Sequence, residues 1–172
     1  MSLREIVLYP DPVLRRPARE VERFDAELER LVEDLAETMY AAPGVGLAAP
    51  QIGVSLRAAV VDVGGAAGRP ELHVLVNPRL VESEGRQRED EGCLSIPGLS
   101  ERVDRPRRVV VEALDARGGA LRIAGEGLLA RAICHELDHL DGILFFERLT
   151  GLRKELTLRR LRKLPYLQQA TA

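Results

Sequence analysis

Apolar residues recur at helical spacing in a few stretches of this chain, each bounded by its own start and stop signals. Leu28, Leu31, Val32, Leu35 and Met39 form one stripe. Asp25 stands ahead of it as an N-cap, and Ala42-Pro43-Gly44 ends it. A second helix is expected over residues 127–140, with Gly142 placed to stop it. A third is expected over 150–164, halted by Pro165 and docking through Leu152, Leu156 and Leu161. Shorter apolar runs read as strands. They cover 57–63, closed by Gly64-Gly65, then 72–76 and 79–82 on either side of Asn77-Pro78. Residues 108–114 and 120–123 read as a hairpin turning between Asp115 and Gly119. Residues 4–23 form an irregular arm, because Tyr9-Pro10-Asp11-Pro12 and Arg16-Pro17 block regular helix. Strands and helices are segregated along the chain rather than alternating. This points to an α+β fold with mostly antiparallel pairing. No internal repeat and no linker divides residues 1–172, so one domain is expected.

Composition narrows the function classes without choosing one. The 172 residues are 45% hydrophobic and 30% charged, with a net charge of -2. That balance suits a soluble globular domain and offers no broad attraction to DNA or to a membrane surface. No apolar run approaches the ~20 residues of a membrane span. The opening Met1-Ser2-Leu3-Arg4-Glu5 lacks the apolar core of a signal peptide. The expected location is therefore the cytoplasm. There the two cysteines, Cys93 and Cys134, are read as ligand, nucleophile or core rather than as a disulfide.

The chemistry is concentrated in His135-Glu136-Leu137-Asp138-His139. Helical residues four apart lie one above the other, so both imidazoles face the same way and can share one divalent metal. Glu136 between them can take a proton from a ligated water. A catalytic site needs a third protein ligand. The extended protease pattern that puts a histidine six residues after His139 fails, because that position is Phe145. Glu147, Glu155 and Cys93 are left as candidates. Cys93 sits in Glu91-Gly92-Cys93-Leu94-Ser95, where Gly92 would let a substrate backbone come close. Cys134 adjoins His135, and adjacent helical residues point about 100° apart. It is read as core packing. A third segment, Gly44-Val45-Gly46-Leu47-Ala48-Ala49-Pro50-Gln51, matches neither phosphate-binding fingerprint and by itself reads as a glycine-rich turn.

Taken together and in this order, the three segments resemble the motifs of the peptide deformylase family. The resemblance runs from the proline-rich arm to the third helix. It implies antiparallel sheets packed around a central helix that bears the pentad. It also implies metal-dependent removal of the N-formyl group from the formyl-methionine of nascent polypeptides, with release of formate. Cys93, His135 and His139 match the metal ligands, and Glu136 matches the general acid/base. Gln51 and the Leu94 backbone amide match the oxyanion donors. Val45, Leu128 and Ala132 are expected to line the methionine pocket, with Gly46 and Gly92 beside the substrate backbone. The family's usual metal is Fe2+. The ligand set alone would suit Zn2+, and Ni2+ or Co2+ is expected to substitute. Some family members bind the ribosome through a basic C-terminal helix, and the basic residues within 150–164 suggest the same here. The sequence departs from many relatives at Gly98, where glutamate is common, at Ser100, where some carry arginine, and at Cys134, which is often glutamine. Two other readings differ in chemistry: a zinc endopeptidase using Glu147 or Glu155, and a binding module with a structural metal.

Overall fold

The computed structural model describes residues 3–64 and 68–169, so Met1, Ser2 and Gly65 lie outside the described residues. In chain order the regular elements are α1 (Ala26–Ala41), β1 (Gly46–Ala48), β2 (Ala58–Val61), β3 (His73–Glu84), β4 (Gln87–Gly92) and β5 (Ser100–Arg105). They continue with β6 (Arg108–Leu114), β7 (Ala120–Glu126), α2 (Leu128–Leu140), α3 (Gly151–Arg162) and α4 (Pro165–Gln169). Five strands form one antiparallel sheet in the order β1-β2-β3-β6-β7, and β4 pairs with β5 in a second. Helix α2 packs against β1, β2 and β7, so the pentad lies at the centre of an α+β fold.

Local chemistry accounts for most element ends. The Asp25 carboxylate accepts from the backbone amides of Glu27 and Leu28, a cap worth about 1 kcal/mol. Gly142 ends α2 at φ 74°, and a side chain there would collide with the Arg15 backbone at 2.8 Å. The stripe of α1 is buried with Leu47, Val60 and Val76, and the inner face of α2 with Val61, Leu75 and Val109.

Four expectations need correction. The two runs around Asn77-Pro78 are one strand, β3, whose pairing with β6 shifts register between Val76 and Arg79. Asn77 adopts φ 48°, which asparagine tolerates. Its side chain accepts from the Val21 amide at 2.8 Å and donates to the Val21 carbonyl at 2.9 Å, tying the N-terminal arm to the sheet. Strands β1, β4 and β5 carried no signature, because β1 is three residues long and β4, with the sequence QREDEG, is almost wholly polar. Pro165 begins α4 as well as ending α3, since proline fits the first turn of a helix. Finally, α3 docks through Leu158 and Leu161, joined just beyond its end by Leu164, in one cluster with Phe145 and Phe146, while the buried Thr157 hydroxyl donates to Glu101. Leu152 and Leu156 are 69% and 47% exposed.

Candidate active site

Helix α2 presents His135 and His139 on one face. The turn after β4, closed by the Ile96 amide donating to the Cys93 carbonyl at 3.0 Å, brings Cys93 to meet them. The Nε2 atoms of the two histidines lie 3.1 Å apart, and Cys93 Sγ lies 3.3 Å from His139 Nε2. Three ligand atoms, one from each residue, sit within 4.8 Å of one another. A thiolate and two imidazoles converging in this way form a donor set for a divalent transition metal, and their spacing fits one ion. Glu147 and Glu155 are elsewhere. Glu147 accepts from Arg15 Nη1 and from the Leu144 amide, each at 2.8 Å, and Glu155 is exposed on α3. Cys134 packs against Val61, Leu75 and Ile133, and burial pushes its thiol up to about 11.

His135 is held from behind. Its Nδ1 faces Glu91 Oε2 at 2.8 Å. With Nδ1–H donating to the carboxylate, the lone pair of Nε2 is free toward the ligand cluster. Burial would raise the Glu91 carboxyl, but hydrogen bonds from His135 and Arg105 hold it down to about 2. Arg105 grips Glu91 with two bonds, at 3.0 and 2.7 Å, and reaches Asp138 with a third at 2.7 Å. Arg148 closes the chain on Asp138 at 3.1 and 2.6 Å. Sequence reading missed these four residues. Glu91 and Asp138 stood inside the quoted motifs and could have been suspected. Arg105 and Arg148 carry no local signal, because their roles depend on tertiary contact.

Glu136 is buried, and among the described residues its Oε2 has no hydrogen-bond partner. Burial pushes its carboxyl up to about 7. An unpaired buried carboxylate oxygen is costly unless a missing group satisfies it, and a water held beside the ligand cluster would do so. Gly46 makes room for this side chain, since a Cβ there would stand 2.3 Å from Glu136 Oε1.

Gln51 is buried, with its Oε1 accepting from the Ala48 amide at 3.0 Å. That contact fixes the amide orientation. Nε2 then faces Ser95 Oγ at 3.2 Å and Cys93 Sγ at 3.7 Å. Leu94, the next residue after the cysteine, lines the same cleft.

The cleft has a volume of about 430 Å³ and reaches His135 and Glu136. Val45, Gly46, Gly92, Leu128 and Ala132 all line it. Leu128 is 41% exposed, so its side chain stands in the cleft wall rather than in the core. Gly98 is also in the wall, at φ 88°, where a longer residue would be strained.

Comparison with known proteins shows the family. A family model described as polypeptide deformylase matches residues 3–155. The peptide deformylase of Acidobacterium capsulatum is 50% identical over 164 residues, covering 95% of this chain and 96% of that protein. The one from Acidothermus cellulolyticus is 50% identical, covering 98% of this chain and 91% of its own. The crystal structure of a Legionella pneumophila peptide deformylase is similar with a TM-score of 0.88 and 47% identity, covering 98% of each chain. These matches span nearly the whole molecule, and the chain belongs to the polypeptide deformylase family.

Proposed function

We propose that this chain hydrolyses the N-formyl group of formyl-methionyl nascent polypeptides, with the residue roles that follow. The carrying observation is the convergence of Cys93, His135 and His139 beside the orphaned oxygen of buried Glu136. The three residues would hold a divalent metal through Sγ and two Nε2 atoms. When bound, that ion supplies Lewis acidity, lowering the pKa of a ligated water from 15.7 toward about 7 and polarising a substrate oxygen.

Glu136 takes a proton from the attacking water and delivers it to the leaving amine. Gln51 Nε2 and the Leu94 amide donate to the formyl oxygen as negative charge develops on it. Glu91 fixes the His135 ring so that Nε2 remains a ligand. Val45, Leu128 and Ala132 receive the methionine side chain, while Gly46 and Gly92 let the peptide backbone lie close. Formyl carries only hydrogen on its carbon, so a narrow site discriminates by size against larger acyl groups.

Purified enzyme assayed on a formyl-Met peptide and on an internal peptide bond is expected to release formate and to leave the internal bond intact. Cleavage of the internal bond instead would favour an endopeptidase. We take Fe2+ as the working metal and keep Zn2+ as the alternative. A thiolate beside Fe2+ offers two oxidisable centres. The iron form should lose activity in air over hours while a Ni2+ or Co2+ form keeps it. Equal decay of the iron and nickel forms would argue against iron.

No helix among the described residues is long and apolar enough to cross a membrane. The cytoplasm, where formylated chains emerge, is the proposed location, and the ribosome the proposed partner of α3. Arg153 and Arg160 of that helix pair with Glu101, whereas Arg159, Arg162 and Lys163 are exposed. Ending the chain before α3 would strip Leu161 and Leu164 from the core, so truncation is a poor test. Reversing the charge at Arg159, Arg162 and Lys163 should weaken low-salt ribosome pelleting and spare cleavage of a short formyl peptide. Each lost phosphate contact lowers the salt slope by about 0.7–0.9. Unchanged pelleting would leave α3 with packing alone.

A further inference from the structure

One cation is built into the wall of the cleft. Arg131 lies one helical turn outward from His135 on α2 and lines the cavity with Leu128, Ala132 and Glu136. The other arginines around this site are neutralised, Arg105 by Glu91 and Asp138, and Arg148 by Asp138. No ion pair engages Arg131 among the described residues. Its Nη1 donates to the neutral Asp90 carbonyl oxygen at 3.2 Å, and its Nε is buried without a hydrogen-bond partner. The carbonyl contact steadies the guanidinium and leaves its charge uncompensated. The nearby Asp90 carboxylate is 73% exposed and lies 3.7 Å from Arg102, which offsets it.

A peptide lying extended in this cleft alternates its side chains. With the methionine side chain against Leu128 and Ala132, the next side chain points away from α2. The one after it returns to the α2 face, about 7 Å further out along the peptide. That is the side of the cleft on which Arg131 stands.

We propose that Arg131 is a specificity-determining residue that favours an acidic side chain at the second position after formyl-methionine. The proposal rests on the deformylase reading and adds a substrate preference to it. An exposed charge pair of this kind changes binding about two- to fivefold, and salt screens it.

The test uses three amidated peptides, formyl-Met-Ala-Glu, formyl-Met-Ala-Gln and formyl-Met-Ala-Lys, with formate release giving kcat/KM for each. Wild-type enzyme at low salt should prefer the glutamate peptide over the lysine peptide, with the difference carried by KM and shrinking as salt is raised. Arg131→Gln should bring the ratio to near one, and Arg131→Lys should retain the preference because charge is what is read. A wild-type ratio of one, or a preference that survives Arg131→Gln, would overturn the assignment while leaving deformylation of the glutamine peptide intact. Failure of all three peptides would overturn the deformylase reading and this proposal with it.

Discussion

Replacing Glu136 with glutamine is expected to lower turnover of a formyl-Met peptide by at least about 10²–10⁴-fold, the range for loss of general acid–base catalysis. Metal content should be unchanged, because the side chain is adjacent to the ligands without being one of them. The fold should be no weaker. Burial raises the Glu136 carboxyl from 4.5 to about 7. A raised carboxyl disfavours the ionised form in the folded state. Its cost is absent below the unfolded pKa, grows as pH rises through this window, and is fully present above about 7. Glutamine removes that cost and keeps the shape that Gly46 accommodates. The metal-free variant should therefore melt at or above the wild-type temperature at pH 8. The same value bears on the pH profile. Glu136 must be ionised to accept a proton, so kcat/KM should fall as pH drops. A cation among the ligands draws the carboxyl down again, placing that acid limb at or below pH 7. Near wild-type turnover by a metal-replete Glu136→Gln enzyme would remove Glu136 from the mechanism.

Legibility of the site in the sequence followed the range of the interactions. The helix that bears the pentad could be read because period 3.6 places His135 and His139 together within one element. The same geometry put Cys134 in the core. The identity of the third ligand could not be read from spacing, because Cys93 reaches the histidines only through the folding of β4 and β5, and neither strand alternates in a recognisable way. Resemblance supplied the roles proposed for Cys93, Gln51 and Leu94. Strand β4 escaped notice because its buried residue, Glu91, is a carboxylate serving His135 and Arg105 rather than an apolar side chain. Helix α3 misled in the opposite sense. Leucines at helical spacing suggested a docking face that included Leu152 and Leu156. Of the expected three, Leu152, Leu156 and Leu161, only Leu161 is buried, and the docking face is completed by Thr157 and Leu158 on the helix and by Leu164 just after it. A hydrophobic stripe does not reveal which part of it the rest of the chain will cover.

Replacing Arg105 with methionine should be the most destabilising single change near the site. The Arg105 side chain is 4% exposed, and its guanidinium carries bonds to both Glu91 and Asp138. Its removal leaves Glu91 without its main cation and Asp138 with Arg148 alone. Breaking a buried pair from one side costs about 3–5 kcal/mol, because a buried charge is left uncompensated. For a chain of this size that corresponds to a fall in Tm of roughly 6–20 °C. Metal affinity should fall too, by about 10- to 100-fold, since Glu91 orients a ligand and depends on Arg105 for its own position. The acid response gives an independent check. Glu91 is held at about 2 against an ordinary value of 4.5, so its contribution is present above 4.5 and lost as pH falls toward 2. In Arg105→Met that loss should begin at higher pH, because the carboxyl is no longer held as far down. A triple variant carrying Arg105→Met, Glu91→Gln and Asp138→Asn separates stability from function. With the orphaned charges removed, much of the melting temperature should return. Metal affinity should stay low, because a glutamine amide orients His135 less strongly than a carboxylate. Thermal unfolding and metal titration of the two variants decide the matter. If Arg105→Met unfolds within about 1 kcal/mol of wild type, close to an ordinary point substitution, the buried chain from His135 to Arg148 contributes little to holding the site.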